Sequence, residues 1–457
     1  MEVYKIFYEE YPLDQIEWKD FLKNCAACFD KVVSSAEQRR VEELAIKGGI
    51  NPAVFNQAAG KAVAVAIERY CKKQDLPHVV HALIGKGNNG KDGQEALIAL
   101  SQMGFQVYSN LDRLEKGVIL DALYGIGFHG EIKGEEAEAV EKANQSGLKI
   151  IALDIPSGVN GTSGQVSKIH IEAAHTIAVG TYKMGHILEP GYLTYQTIEL
   201  VSFGLGAHYY DQLEEVARVV RLADLEEPTF PKKIHKYQRG YVGVIAGSKQ
   251  MEGAAYLVAK AALETGAGMV RLFVDEDFRL PLVEAVYAPQ TLKALQEYAP
   301  KLDALVIGPG MDLLKKPFIE EILTYLIDHP IPLIVDAGAI GVYLEMKKRP
   351  FAMITPNGSE IKYLKEGAHD DCILYKKGPP TWIFDPQREK PYIILEADPK
   401  LATAGTGDVL SGMMGAYLAR TGSYFDAALL ASRRLIMSAA SQYQEFPTSS
   451  EMTRPSL

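Results

Sequence analysis

Two stretches of this chain combine small residues with acids and amides at spacings suited to phosphate and proton chemistry. The first, Gly85-Lys86-Gly87-Asn88-Asn89-Gly90-Lys91-Asp92-Gly93, follows an apolar run at 79–84 and leads into a helical pattern at 94–100. Glycines let backbone N–H groups approach an anion, and a helix start behind them adds the positive end of its dipole. Two asparagines and an aspartate supply oriented donors and acceptors that a tight turn does not need. In the second stretch, Thr403-Ala404-Gly405-Thr406-Gly407-Asp408-Val409-Leu410, small residues run straight into a helical pattern. Asp408 stands there where it can take a proton from a hydroxyl. The purely structural alternatives are a turn at 85–93 and a first-turn acid favoured by the helix dipole at 408.

Such residues must be held by a scaffold, and the apolar pattern predicts one. Ser34 or Ser35 can cap a helix with Glu37 in its first turn, and Asn51-Pro52 opens a second. Short apolar runs at 79–84, 118–120, 150–153 and 176–179 then alternate with helical or loop stretches, which predicts a mainly parallel sheet with covered faces. Two of these strands end in acids, Asp121 and Asp154. In open α/β sheets ligands lie beyond the carboxyl ends of strands, so both should converge on the 88–93 loop. Residues 205–235 are polar and proline-bearing, the composition of a domain connection. A second series of strands follows at 241–246, 269–274, 302–307, 332–335 and 352–355. A hairpin-like pair stands at 382–384 and 392–395, and helices start near Gly407 and Tyr424. The division expected is 1–210, a linker at 211–234, and 235–457.

Bulk properties exclude several classes. The chain of 457 residues, 47 % hydrophobic and 23 % charged with 40 glycines, fits two folded α/β domains. A formal charge of −10 without a basic stripe argues against nucleic acid. Cys25, Cys28, Cys71 and Cys372 are too few for a disulfide framework, and Cys25-x-x-Cys28 lacks the further ligands a zinc site wants. With no apolar leader at 1–11 and no long apolar run, the expectation is a cytoplasmic protein that does not span a membrane. No histidine pair has metal-ligand spacing on a helix, and His186 reads as a loop residue.

Residues 32–205 resemble the NAD(P)H-hydrate epimerase domain. Ser35-Ala36-Glu37-Gln38-Arg39, Ala58-Ala59-Gly60, Asn88–Gly93, Asp121-Ala122-Leu123-Tyr124-Gly125, Asp154-Ile155-Pro156-Ser157-Gly158 and Lys183-Met184-Gly185 occur in that family's order. Residues 235–450 resemble the ADP-dependent NAD(P)H-hydrate dehydratase branch of the ribokinase-like fold. That likeness rests on Ile245-Ala246-Gly247-Ser248, Gly253-Ala254-Ala255, Ile307-Gly308-Pro309-Gly310, Thr355-Pro356, Lys377-Gly378 and Ala404–Asp408.

The resemblance implies a Rossmann-like three-layer domain followed by a ribokinase-like α/β domain, with both repair activities in one chain. It implies hydrated-dinucleotide contacts at Asn88, Asn89, Gly90, Lys91 and Asp92 and at Gly125, Ile126, Gly127, Phe128, His129, Gly130 and Glu131, with Asp154 near the reacting ring. A potassium ion on Asn89, Asp121 and Ser157 is implied too. In the second half it puts Ala254, Gly310 and Asn357 at the hydrated ring, and Lys377, Gly378, Pro379, Pro380, Thr381, Ala404, Gly405, Thr406 and Gly407 around ADP or ATP. Asp408 is implied as the base, magnesium as the nucleotide's companion, and a homo-oligomer as the assembly.

The chain departs from the family at several positions. Lys91 replaces a second glycine, and Phe55-Asn56-Gln57 replaces a Met-Glu pair. Gly338 and Gly341 stand for an aspartate and an asparagine, Asn357 stands for a histidine, and the interval from Glu360 to Lys377 is short. Three other readings stay open: a working epimerase with a weakened second domain, a ribokinase-like small-molecule kinase, and a non-catalytic dinucleotide-binding module. The kinase leaves the first half without a task, and a binding module needs no acid at Asp154 or Asp408.

Overall fold

The computed structural model describes residues 29–454, except 113, 276, 279–281, 365–370, 443, 445 and 446. The described chain forms two compact units, an N-terminal one of 30–219 and a C-terminal one of 220–454 to which Phe29 is also assigned. The Cys25/Cys28 pair lies outside the described residues, and Cys71 and Cys372 are buried.

The N-terminal unit opens with β1 (Phe29–Val33), α1 (Ser35–Lys47) and α2 (Pro52–Lys73). Ser34 caps α1 by accepting from the Glu37 amide; Asn51 caps α2, with Pro52 in its first turn. Then follow β2 (Val79–Ile84), α3 (Asn88–Gln102), β3 (Gln106–Tyr108), β4 (Val118–Ala122), α4 (Glu135–Gln145), β5 (Lys149–Leu153), β6 (Ala173–Val179), β7 (Tyr182–Lys183), α5 (Met184–Ile187) and β8 (Tyr195–Val201). A parallel sheet runs β3-β2-β4-β5-β6-β8, and β7 pairs with β1 through Val33 and Lys183. Residues of α2 and α3 cover one face, including Val63, Ile67, Ala96 and Leu100. Val140 and Ala143 of α4 cover the other. The strand order reverses between β2 and β4, and that is where such a sheet opens a crevice for a ligand.

One local expectation is corrected. Helix α3 starts at Asn88, six residues before the helical pattern expected at 94, so residues 88–93 form its first turns. The cause is close packing. A Cβ on Gly90 would lie 1.8 Å from the Gly85 carbonyl oxygen, one on Gly85 would lie 1.8 Å from that of Leu123, and one on Gly93 would lie 2.5 Å from the Ala122 methyl. These glycines let the helix start settle onto the strand ends, and the neighbouring Asn88, Asn89 and Asp92 line a cleft.

Between the two series, residues 211–234 include β9 (Ala217–Val220), with Val219, Val220, Leu222 and Leu225 buried. The C-terminal unit continues with β10 (Tyr241–Ile245), α6 (Glu252–Glu264), β11 (Met269–Val274), β12 (Val286–Pro289), α7 (Leu292–Tyr298), β13 (Ala304–Ile307), α8 (Lys316–Asp328), β14 (Leu333–Val335), α9 (Gly338–Glu345) and β15 (Met353–Ile354). Its last elements are β16 (Ile373–Lys376), β17 (Thr381–Phe384), β18 (Tyr392–Ile394), α10 (Thr406–Thr421) and α11 (Tyr424–Ala440). The order β12-β11-β10-β13-β14-β15-β16 is parallel, and β17 and β18 continue it antiparallel, β17–β18 being the expected hairpin-like pair. Helices α6, α10 and α11 pack on one face and α7, α8 and α9 on the other, a three-layer α/β arrangement. No helix among the described residues is long and apolar enough to cross a membrane.

Candidate active site

In the N-terminal unit a cleft of about 700 Å³ opens at the β2/β4 reversal. Its walls include Asn88, Asn89, Lys91 and Asp92 from the start of α3, residues 125–129 after β4, and Asp154 after β5. Gly90 packs on Gly85 beneath them. Gly130 and Glu131 do not line the cleft. Glu131 is instead tied to the 167–168 segment, accepting from Ser167 Oγ at 3.0 Å and the Lys168 amide at 2.8 Å.

Asp154 has a left-handed backbone, φ +67°, rare for a residue with a side chain. Its Oδ1 accepts from Lys183 Nζ at 2.5 Å and from the Val179 amide at 3.2 Å. Lys183 is 1 % exposed and spends its other two ammonium protons on the Val179 and Thr181 carbonyls, at 2.8 and 3.0 Å. A lysine has three donors, and here all three are used, so Lys183 holds Asp154 in place while Oδ2 remains for a ligand.

Two more acids enter the same cleft. Asp92 Oδ1 accepts from Asn56 Nδ2 at 2.5 Å, and Glu42 Oε1 accepts from Gln38 Nε2 at 2.6 Å. Burial pushes the Asp92 carboxyl up to about 7, helped by the charges of Asp154 and Glu42 and opposed by the Asn56 bond. Burial likewise raises Glu42.

Below the cleft floor, Asp121 is fully buried. It takes the Ser157 amide at 2.8 Å, Ser157 Oγ at 2.6 Å and the Leu123 amide at 3.2 Å. Burial lifts its carboxyl to about 6 in spite of these bonds. Asn89 Nδ2 donates to the Tyr124 carbonyl at 2.9 Å, and the Tyr124 amide donates to Ser157 Oγ at 2.8 Å. Asn89 and Ser157 thus meet at the backbone of Tyr124, and Asp121 joins them through Ser157. Their carboxylate, amide and hydroxyl oxygens are the donor types a hard monovalent cation takes.

In the C-terminal unit the strand ends again carry the polar residues. Asp336, after β14, is 1 % exposed and accepts from Lys377 Nζ at 2.6 Å, Thr355 Oγ1 at 2.8 Å, Ser411 Oγ at 2.6 Å and the Ala337 amide at 2.8 Å. Through this network β14, β15, β16 and α10 meet at one point. Lys377 Nζ lies 3.3 Å from where a Gly407 Cβ would sit, so its charge stands over the first turn of α10, whose leading N–H groups lack helical acceptors. Asp408 follows, half-buried. Burial raises its carboxyl to about 6, with Asp336 adding to the rise and Lys377 opposing it.

The other positions implied in this unit fall as follows. Gly310, φ +64°, sits against Ala254, where a Cβ would come within 2.5 Å of the alanine methyl. Residues 378–380 form the turn between β16 and β17, where Thr381 Oγ1 donates to the Gly378 carbonyl at 3.2 Å. Thr406 Oγ1 donates to the Leu401 and Thr403 carbonyls, closing the turn at 404–405. Asn357 is exposed and gives its side-chain oxygen to its own turn, accepting from Ser359 N, Ser359 Oγ and Glu360 N. Gly338 answers a steric demand: a Cβ there would lie 2.0 Å from the Met311 carbonyl oxygen.

From sequence alone, no role falls to Glu42, Asn56 or Asp336, and Lys183 enters there only through the resemblance. Asp336 carried the signal that exposed Asp121 and Asp154, an acid closing an apolar strand. Glu42 and Asn56 carried none, because a polar residue on a helix reads as solvent-facing until the neighbouring elements are in place.

The NAD(P)H-hydrate dehydratase family matches residues 242–454, and the YjeF-related protein N-terminus matches residues 109–185. A protein named bifunctional NAD(P)H-hydrate repair enzyme from Synechocystis sp. is 26 % identical, over 86 % of either chain. One of the same name from Coxiella burnetii is 28 % identical, over 85 % of this chain and 90 % of its own. A solved structure titled ADP/ATP-dependent NAD(P)H-hydrate dehydratase from Bacillus subtilis, co-crystallized with ATP/Mg2+, is 24 % identical with a TM-score of 0.41, covering 51 % of this chain and 92 % of that one. The chain thus carries a YjeF-related N-terminal domain followed by an NAD(P)H-hydrate dehydratase domain, and over most of its length it is similar to proteins named bifunctional NAD(P)H-hydrate repair enzyme.

Proposed function

We propose that the chain restores hydrated nicotinamide dinucleotides, the N-terminal unit interconverting the R and S hydrates and the C-terminal unit dehydrating the S hydrate at the expense of ADP or ATP. The observation that carries this reading is the Asp154–Lys183 pair, held at the end of β5 on the wall of a cleft sized for a small-molecule ligand.

The hydrated ring carries a hydroxyl and a ring nitrogen on the same carbon. Asp154 Oδ2 takes the hydroxyl proton; the carbon–nitrogen bond opens as the carbonyl forms, and the nitrogen receives the proton. Rotation and reclosure on the other face give the second epimer. Residues 88–92 and 125–129 are proposed to hold the rest of the dinucleotide. Asn89, Asp121 and Ser157 would hold potassium, which would supply positive charge to the bound dinucleotide.

At α10, Asp408 takes the hydroxyl proton while the terminal phosphoryl group passes to that oxygen. Loss of the resulting phosphate, with a proton from the adjacent carbon, restores the ring double bond and leaves AMP when ADP is the donor. Lys377 and the first-turn N–H groups of α10 stabilise the transferring charge. Ala254 and Gly310 would face the ring, residues 378–381 and 404–407 the nucleotide, and magnesium would arrive with the nucleotide. The cytoplasm and self-association belong to the same proposal.

Recovery of near-ultraviolet absorbance from chemically hydrated NADH plus ADP tests the reading. No recovery from the S hydrate would refute the second activity, and no consumption of pure R hydrate would refute the first. Because Asn357 spends its oxygen on its own turn, a weakened second unit is the alternative. A normal R-to-S rate with slow dehydration would favour it.

A further inference from the structure

His186 reads from sequence as a loop residue, yet it is fully buried in α5 and touches the backbone of both partners of the cleft's ion pair. Its Nε2 lies 2.7 Å from the Asp154 carbonyl oxygen, and its Nδ1 lies 3.1 Å from the Lys183 amide nitrogen. The two contacts dictate one protonation state. A carbonyl can only accept, so Nε2 carries the hydrogen; a backbone amide can only donate, so Nδ1 is bare. An imidazolium would set an N–H against an N–H.

We propose that His186 is a positioning residue for the first-unit reaction: its neutral Nε2–H imidazole ties the Asp154 carbonyl to the Lys183 amide and so fixes both ends of the ion pair. This rests on the epimerase reading of the cleft.

Asp154 needs such a tie. Its left-handed backbone is one that L residues rarely adopt, and it is held at its amide by the Ile177 carbonyl at 2.8 Å and at its carbonyl by His186. Lys183 fixes the carboxylate, but nothing in that bond fixes the peptide that carries it. His186 does so, and is itself held where Tyr195 Oη donates to its carbonyl at 2.5 Å. The groups facing the ring are Lys183, Asp154 and the rings of Tyr182 and Tyr195, both set T-shaped to the imidazole. Burial, with the Lys183 charge behind it, pushes the imidazole down to about 4, so neutral solution leaves this tautomer intact.

The test compares His186→Leu and His186→Gln in the full chain, following R-hydrate epimerisation, with S-hydrate dehydration by the other unit as internal control. Displacing a reacting group by about 1 Å can cost about 100-fold, so His186→Leu should lose about that in kcat with KM nearly unchanged. His186→Gln, with one amide donor and one acceptor, should recover most of the loss. Wild-type kcat in His186→Leu would overturn the proposal, as would a folded His186→Gln no better than the leucine variant. If neither variant folds, ¹⁵N spectra of the wild-type imidazole decide. A single neutral Nε2–H form between pH 8 and 5 is expected, and an Nδ1–H form or an imidazolium at pH 6 overturns it. A wild-type protein inert toward the R hydrate would sink the epimerase reading, while the spectra would still judge the tautomer.

Discussion

Replacing Asp92 by asparagine should stabilise the N-terminal unit, and more so at pH 8 than at pH 5. The folded protein holds this carboxyl at about 7 against an ordinary 3.8, so the folded state binds a proton across the window in which the unfolded state has lost it. Stability from this group is therefore fully present below pH 3.8 and is lost as pH rises to about 7. At about 1.36 kcal/mol per pH unit the loss has a ceiling of about 4 kcal/mol, and solvent at the cleft mouth reduces it to about 2 kcal/mol. Asparagine keeps an oxygen for Asn56 Nδ2 and carries no charge to desolvate. Amide hydrogen exchange in β2 of the full chain reads the local opening free energy of this unit. A gain of about 2 kcal/mol at pH 8, falling to less than half at pH 5, is expected. A gain equal at both pH values would show that charge burial is not the cause, and no gain at pH 8 would refute the reasoning. R-hydrate turnover should fall in the same variant, since a destabilised group at a cleft wall is retained for what it does there.

Dehydration should rise with pH through about 6 as Asp408 ionises, and Asp336→Asn should move that midpoint lower because the Asp336 charge helps hold Asp408 up. An unmoved midpoint in that variant's pH–rate profile would count against the pairing. Gly338→Ala forces a Cβ to 2.0 Å from the Met311 carbonyl, so the C-terminal unit should lose about 1–3 kcal/mol in denaturant unfolding while R-to-S conversion persists. Exchange of potassium for lithium should slow R-hydrate epimerisation and leave dehydration of the S hydrate unaffected. Equal epimerisation rates in both salts would remove Asn89, Asp121 and Ser157 as a cation site.

While β3, β8, β12 and β16 went unread, the local pattern of this chain was sufficient for the central strands of both series, the helix starts at Ser34 or Ser35 and at Pro52, and the acids at the ends of β4 and β5. Each depends on near neighbours in sequence: apolar period, a side chain bonding an amide two or three residues on, and an acid at a strand end. Two features of the first loop needed the tertiary structure. Its glycines pack backbone on backbone, and residues 88–93 are already helical, because β4 lies close beside β2. The partners of the cleft and strand-end acids also come from distant segments. Lys183 reaches Asp154 across 29 residues, Asn56 reaches Asp92 across 36, and Lys377 reaches Asp336 across 41. A lysine, an asparagine or a helical glutamate reads as surface until folding buries it. The acids Asp121, Asp154 and Asp408 were decided by sequence, because each stands at a strand end or helix start; Glu42, Asp336 and His186, the protons these groups hold and what fixes them were decided by packing that only the fold brings together.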